Sequence, residues 1–260
     1  VVVGDALGVP YEFRSRDEMK QDPATDMRGY GTYNLPPGTW SDDSSMALAT
    51  LDSIRENEDV VYSDIMERFV SWAFYGEYTP AGKAFDEGNT CMEAICNYVR
   101  NKDYTTCGKT GVWANGNGSL MRIMPACLFA FEKVKASEWN MKEALECVHQ
   151  ISALTHNHLR SKMACGIYYF MISNIIEGEG SLQERLQNGV DDAVRFYHGD
   201  TSNYVELAYY SRLFHLDEFA KCNEDEIKSS GYVVDSLEAA IWSLITTDQL
   251  EEALLKAVNL

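Results

Sequence analysis

Apolar side chains recur at intervals of three and four residues along most of this chain, and this periodicity restricts its fold more than any other feature. Such spacing places apolar residues on one face of an α-helix. It is found in six groups: Ala47, Leu48, Leu51 and Ile54; Ile65, Phe69, Trp72 and Ala73; Met92, Ile95, Cys96 and Val99; Met141, Ala144, Leu145 and Val148; Leu159, Met163, Ile167 and Phe170; and Leu237, Ala240, Ile241, Leu244 and Ile245. The only strand-like runs, Tyr30 to Thr32 and Tyr232 to Val234, are too short to build a sheet. The sequence therefore predicts an all-α fold, a compact bundle of about ten helices in a single domain over residues 1–260.

Local signals divide the helices from the loops. Asp248, with Glu251 three residues later, has the arrangement of a capping box and predicts the start of the last helix. Stretches rich in proline and glycine predict loops at Leu35 to Thr39, Thr79 to Gly82 and Gly111 to Gly118. No repeat or long linker divides the chain.

Composition excludes several classes of partner. With 22 Lys and Arg against 40 Asp and Glu, the net charge is −18, which argues against binding of long nucleic acid. The longest apolar stretches are shorter than the roughly 18 residues of a membrane span, and no signal-peptide pattern opens the chain. The seven cysteines are odd in number and form no C-x-x-C pair, which predicts reduced thiols. We therefore expect a cytoplasmic protein that does not contact a membrane.

The segment Ser41-Asp42-Asp43 is the first candidate for chemistry. Acidic and hydroxyl residues at a helix N-terminus can simply cap the helix, but capping needs one carboxylate rather than two. Two like charges about 4 Å apart repel by roughly 4 kcal/mol at an effective dielectric near 20. A hard divalent cation would remove that repulsion, and oxygen ligands favour Mg²⁺ or Mn²⁺ over zinc. Both interpretations, a cap and a metal site, remain open from the residues alone.

Two further segments could contact a ligand. The glycines around Asn117 could bring backbone N–H groups close to a phosphate, or could form only a tight turn. Arg122 could bind an anion, although pairing with a core carboxylate is the commoner role. Among the residues from Thr155 to His158, the histidines favour ligand contact or capping over zinc binding, because no third ligand is evident.

Taken in order, these segments resemble the ADP-ribosylglycohydrolase family, and in particular the bacterial members related to the glycohydrolase that reactivates ADP-ribosylated dinitrogenase reductase. The segments that carry the resemblance are Gly4-Asp5-Ala6-Leu7-Gly8 with Glu12, Trp40-Ser41-Asp42-Asp43, Gly116-Asn117-Gly118-Ser119-Leu120-Met121-Arg122, Leu154-Thr155-His156, and the run from Ser229 to Ala240. The likeness extends from Val1 to Leu260.

The resemblance implies an all-α hydrolase that contains two Mg²⁺ or Mn²⁺ ions and releases ADP-ribose from an ADP-ribosylated protein or small molecule. By this resemblance the residues fall into two sets. The metal ligands would be Ser41, Asp42, Asp43 and Glu12, with Glu12, Asp42 and Asp43 serving also in catalysis; the substrate-binding residues would be Gly116, Asn117, Gly118, Ser119 and His156. Asp5 is expected to support its loop rather than to take part in the chemistry.

One departure qualifies this expectation. The family carries a second metal motif, Gly-x-Asp-x-Asp-Thr, which would follow Leu260, so we expect a chain trimmed at both ends that holds half of the metal site. Arginine is the first acceptor expected, with a serine- or nucleic-acid-linked ADP-ribose as alternatives. A non-catalytic ADP-ribose-binding protein, such as the crystallin-like relatives, and a metal-dependent phosphoesterase are the alternative functions.

Overall fold

The computed structural model describes all residues from 1 to 260 and confirms the all-α fold. It contains thirteen α-helices: α1 Val2–Gly8, α2 Arg16–Gln21, α3 Asp42–Asn57, α4 Tyr62–Tyr75, α5 Asn89–Asn101, α6 Met124–Lys135, α7 Met141–Ala153, α8 Leu159–Glu177, α9 Leu182–Tyr197, α10 Tyr204–Leu207, α11 Leu216–Phe219, α12 Val233–Ile245 and α13 Leu250–Val258. Five short 3₁₀ segments lie between them: Val9–Tyr11, Asn117–Ser119, Thr201–Asn203, Ala208–Phe214 and Glu224–Glu226. Strand pairing is limited to two isolated bridges, Lys109 with His156 and Gly116 with Tyr232.

Helix α8 lies at the centre of the fold. It packs against α7, α9, α6 and α12, and most of its residues from Arg160 to Met171 are buried. A helix that is apolar around most of its circumference is stable only when neighbours surround it. Buried residues of all the helices that carried the predicted periodicity belong to one continuous core together with those of α8.

Helices α8 and α9 approach each other closely because α9 has glycine at the contact. A Cβ added to Gly189 would lie 2.6 Å from the Cα of Met171, which is backbone that cannot move aside. This contact holds α9 in place, although its apolar stripe was not among the segments from which helices were predicted. The stripe comprises Leu186, Val190, Ala193 and Tyr197, all buried.

Two sequence predictions about local structure are wrong. The residues from Gly4 to Gly8 form α1 rather than a loop; a Cβ on Gly4 would lie 3.3 Å from Leu254, so this glycine allows α1 to pack against α13. Asp248 does not cap the last helix, which begins at Leu250. The turn after α12, where the hydroxyl of Thr247 donates to the carbonyl of Ser243, leaves Asp248 exposed in the connection.

The seven cysteines are all free, and five of them are buried. None of the helices combines the length and the apolarity that crossing a bilayer would require.

Candidate functional site

The N-terminus of α3 is capped from outside the helix, by Asp5 of α1. The Asp5 carboxylate accepts hydrogen bonds from the backbone N–H of Ser41 at 3.0 Å and from its hydroxyl at 2.8 Å. It also accepts from the N–H of Ser44 at 3.0 Å and from its hydroxyl at 2.6 Å. Asp5 thus accepts the hydrogen bond from the Ser44 N–H that a capping side chain at Ser41 would otherwise accept. The carboxylates of Asp42 and Asp43 are therefore not needed as caps.

Asp42 and Asp43 lie in the first turn of α3, where they are held in a partly desolvated environment. Burial, the carboxylate of Asp43 and that of Asp86 raise the pKa of Asp42 well above its ordinary value. Burial, followed by the carboxylates of Asp5 and Asp86, raises the pKa of Asp43 to about 7. The helix dipole favours negative charge at this position, but the crowding of carboxylates opposes it.

Glu12 joins this cluster from the chain that follows the 3₁₀ segment Val9–Tyr11. Its Oε2 atom is buried and has no hydrogen-bond partner. Burial, followed by the charges of Asp86, Asp43 and Asp42, raises the pKa of Glu12 to about 9. At neutral pH and without a cation, Glu12 therefore holds a proton.

Asp86 and Tyr33 complete the cluster, and the sequence analysis missed both. The Tyr33 hydroxyl donates a hydrogen bond to Oδ1 of Asp86. Burial and this hydrogen bond raise the pKa of Tyr33. Asp86 adopts a φ of 59°, a left-handed conformation that is uncommon outside glycine. The segment Phe85-Asp86-Glu87-Gly88 has turn-like composition, which gave no reason to place it beside Asp42.

The donor chemistry of this cluster fits a hard divalent cation. Four carboxylates and the Ser41 hydroxyl offer only oxygen, and the orphaned Oε2 of Glu12 is a buried acceptor without a donor. The neighbouring negative charges contribute to the raised pKa values of Glu12, Asp42 and Asp43, so either protons or a cation must compensate for the charge of the cluster. The side chains do not form a preassembled group of three acidic, histidine or cysteine ligands. The suitability of this cluster for a divalent cation therefore rests on the type of donor atom and on the electrostatic environment.

The glycine-rich loop is held in place by backbone hydrogen bonds to the start of α12. The Asn117 N–H donates to the Gly231 carbonyl, and the Val233 N–H donates to the Asn115 carbonyl, each at 2.9 Å. A Cβ on Gly118 would lie 2.8 Å from Cε1 of His156 and 2.9 Å from the Cys91 sulfur, so only glycine fits there. Ser119 lies inside the core, where its hydroxyl accepts from Ser152 at 2.9 Å. Among the predicted substrate-binding residues, the structure thus brings Gly118 directly against His156.

Cys91 packs against Gly118 of the glycine-rich loop, and the charges of Asp42 and Asp43 act on its thiol. Its pKa is raised to about 12, first by burial; Arg122 acts in the opposite direction, and Asp42 and Asp43 add to the rise. One buried thiol therefore experiences the charges of both parts of the site. The carboxylate cluster and the glycine-rich loop are neighbours in space although they are distant in sequence.

Arg122 does not pair with a core carboxylate, which was the commoner of the two roles expected for it. It is completely buried. Its Nη2 donates to the Thr155 hydroxyl at 2.8 Å and to the Ile151 carbonyl at 3.2 Å, and its guanidinium lies 4.7 Å from the centre of the Phe69 ring. The second histidine of the segment, His158, caps α8 by accepting from the Arg160 N–H at 3.2 Å.

The fold and the site together define a class: an all-α protein in which carboxylates from separate elements meet at one helix N-terminus beside a glycine-rich loop. Comparison with known proteins gives the family. The model of the family described as ADP-ribosylglycohydrolase matches residues 1–260. The chain belongs to the ADP-ribosylglycohydrolase family.

Individual relatives agree with this assignment. The chain is 30% identical over 260 residues to the ADP-ribosylarginine hydrolase Tri1 of Serratia proteamaculans; the match covers 100% of this chain but 64% of that relative. It is 28% identical over 262 residues to the ADP-ribosyl-[dinitrogen reductase] glycohydrolase of Rhodospirillum rubrum, covering 100% of this chain and 76% of that protein. A solved structure described as an ADP-ribosylglycohydrolase-related protein complex superposes with a TM-score of 0.70 at 25% identity, covering 99% of this chain and 77% of that one. The chain thus spans less than two thirds of the length of the Serratia relative.

Proposed function

We propose that this chain forms the catalytic region of a hydrolase that releases ADP-ribose from an ADP-ribosylated acceptor, with arginine as the preferred acceptor. The observation that carries the proposal is the cluster of Glu12, Asp42, Asp43 and Asp86 at the start of α3. A cluster of carboxylates favours the positive charge that develops on the ribose as its C1 bond to the acceptor breaks. The names of the Serratia and Rhodospirillum relatives support the same reaction.

Mg²⁺ or Mn²⁺ would be held here by Ser41, Asp42, Asp43 and Glu12. Bound divalent ions would supply charge compensation and polarise ribose hydroxyls or water. The side chains of the protein have their own roles in this proposal. With a divalent ion bound these carboxylates are ionised, and Glu12 or an aspartate of the Asp42–Asp43 pair would accept a proton from the attacking water and pass it to the leaving acceptor atom.

Arginine as the acceptor is supported by the rings beside Glu12 and Asp86. The Phe13 ring lies edge-on to the Tyr33 ring at 6.4 Å, and the Tyr33 and Phe85 ring centres are 5.0 Å apart. Phe13 directly follows Glu12, is 82% exposed and adopts a φ of 60°. Aromatic faces next to carboxylates match a planar guanidinium, which stacks on rings and pairs with carboxylates.

Release of free ADP-ribose from an ADP-ribosyl-arginine substrate tests the proposal. We expect release with Mg²⁺ or Mn²⁺ and none with EDTA. Asp42→Asn should reduce turnover by at least about a hundredfold, since it removes a carboxylate from the cluster, while the exposed Asp17→Asn should leave turnover unchanged. Wild-type turnover in Asp42→Asn would contradict the role given to this cluster.

The same assay separates the alternatives. Release from a serine-linked or nucleic-acid-linked substrate alone would replace arginine as the acceptor. Binding of ADP-ribose without hydrolysis of any linkage would indicate a non-catalytic member of the family. Release of phosphate or AMP instead of intact ADP-ribose would indicate a phosphoesterase.

A further inference from the structure

The buried guanidinium of Arg122 is an unusual group to place in a helical core. A buried charge without a partner is costly, and here Nε and Nη1 have no hydrogen-bond acceptor. The bonds that Arg122 does make are those of Nη2, to the Ile151 carbonyl and the Thr155 hydroxyl. Packing alone would be served as well by an apolar side chain, so the contact with Thr155 points to a role for the charge.

The contact with Arg122 bears on the direction of the hydrogen bond between Thr155 and His156. A guanidinium only donates, so the Thr155 oxygen accepts from Arg122. The Thr155 hydroxyl lies 2.9 Å from Nδ1 of His156, and its single hydrogen makes no other hydrogen bond in the structure. If Thr155 instead accepted from an Nδ1–H group, its own hydrogen would be buried without an acceptor, so donation by Thr155 to an unprotonated Nδ1 is the favoured arrangement. The proton of the neutral imidazole is then on Nε2.

The surroundings of His156 oppose a second proton on the ring. Burial and the nearby positive charge of Arg122 lower its pKa to about 3. The other titratable group packed against the ring is Cys91, whose sulfur and the His156 Cε1 both lie within 3 Å of the position that a Cβ on Gly118 would occupy. This thiol is neutral and directs its hydrogen to the Gly118 carbonyl. The neutral Nε2–H form of His156 is thus favoured by both its hydrogen bond and its environment.

Nε2 is directed toward the glycine-rich loop and has no hydrogen-bond partner in the protein. It lies 3.6 Å from the position that a Cβ on Gly116 would occupy, and 3.4 Å from the corresponding position on Gly118. A Cβ on Gly118 would crowd the ring, whereas one on Gly116 would only touch it, so the glycine at position 118 leaves space beside this donor. A donor beside backbone N–H groups is suited to an anionic oxygen such as that of a phosphate.

We propose that Arg122 and Thr155 are positioning residues that hold His156 as the Nε2–H tautomer, so that His156 donates a hydrogen bond to a phosphate oxygen of the bound ligand. The identity of the ligand as an ADP-ribosyl group rests on the proposed function. The positioning itself rests only on the hydrogen bonds between Arg122, Thr155 and His156.

Nitrogen-15 NMR of the histidine side chains tests the tautomer directly, with the His156 signals assigned from His156→Gln. In the wild type we expect an Nδ1 shift typical of an unprotonated nitrogen and an Nε2 shift typical of a protonated one, both constant from pH 5 to 8. Thr155→Val, which keeps the shape but removes the hydroxyl, should average the two shifts, and Thr155→Ser should restore them. A proton on Nδ1 in the wild type would overturn the proposal without any variant.

Affinity for ADP-ribose, measured by calorimetry, links the tautomer to binding. A hydrogen bond to a charged group contributes enough for its complete loss to weaken binding more than tenfold. Since Thr155→Val leaves the donor tautomer partly populated, we expect a three- to tenfold weaker affinity, restored in Thr155→Ser. Unchanged affinity in Thr155→Val would refute the positioning role while the proposed function stands. If the wild type does not bind ADP-ribose, the proposed ligand is wrong, and the NMR result still decides the tautomer.

Discussion

The raised pKa of Glu12 leads to a prediction about protein stability that can be tested without a substrate. Replacing Glu12 with glutamine keeps the size of the side chain and removes its titration. Glu12 has a pKa of about 9 in the folded protein against an ordinary value of 4.5. Above pH 4.5 the unfolded chain releases this proton while the folded protein retains it, so stability falls as the pH rises toward 9. Below pH 4.5 both states are protonated and the penalty disappears.

The magnitude follows from the two pKa values. A tenfold change in an equilibrium corresponds to ~1.4 kcal/mol, so retaining the proton at pH 8 would cost the folded state at most ~5 kcal/mol. Glu12 is partly exposed, and solvent screens the neighbouring charges. We therefore expect roughly half of this limit, about 2–3 kcal/mol, as the gain in unfolding free energy for Glu12→Gln at pH 8.

Urea denaturation in EDTA at several pH values from 4.5 to 8.5 measures this gain. The plot of unfolding free energy against pH should be flatter for Glu12→Gln than for the wild type, and the two plots should converge near pH 4.5. Glu87→Gln, at an exposed position, should follow the wild type. Adding Mg²⁺ should increase the unfolding free energy of the wild type more than that of Glu12→Gln, because a cation stabilises the ionised carboxylate. Parallel profiles for wild type and Glu12→Gln would refute the burial and charge crowding that we assign to Glu12.

Three other variants test separate parts of the structure. Asp5→Ala should lower the unfolding free energy by about 2–3 kcal/mol in urea denaturation, because it removes the carboxylate that caps α3; a change under about 0.5 kcal/mol would contradict this capping role. Gly189→Ala should lower it by about 1–3 kcal/mol through the clash with α8, whereas Gly8→Ala, where a Cβ meets nothing within 4 Å, should be neutral or stabilising. Phe13→Leu should raise KM for an arginine-linked substrate by about two- to fivefold through loss of the cation–π contact and leave any serine-linked activity unchanged. An equal effect on both linkages would show that Phe13 does not recognise the guanidinium.

The all-α fold could be predicted because helical periodicity is a local property. The apolar spacing from Leu159 to Phe170 lies on α8, and the other five groups lie on α3, α4, α5, α7 and α12. The exact buried face was less predictable: Val99, counted in the stripe of α5, is 41% exposed, while Tyr98 is buried. Which side of a helix meets the core depends on neighbours that the local pattern does not specify.

The candidate site was predictable where its residues are contiguous and not where the fold assembles them. Ser41, Asp42 and Asp43 are adjacent in sequence, and their unusual charge density marks them. Asp86 and Tyr33 carry no such signal, because their importance comes from lying against Glu12 in the folded protein. Similarly, the sequence could identify Gly118 as part of a turn. The contact with His156 that excludes a side chain at this position arises only in the folded protein.

The two parts of the site have opposite electrostatic character, and this bears on how so acidic a chain could bind an anion. The carboxylates gather at the N-terminus of α3, while the charge that acts on His156, beside the glycine-rich loop, is the guanidinium of Arg122, which pairs with no carboxylate. A ligand with an anionic diphosphate and a ribose that becomes positively charged during cleavage would match this separation. The net charge of −18 therefore describes the chain as a whole, whereas at the glycine-rich loop the local field is set by Arg122, the Nε2–H of His156 and the backbone N–H groups.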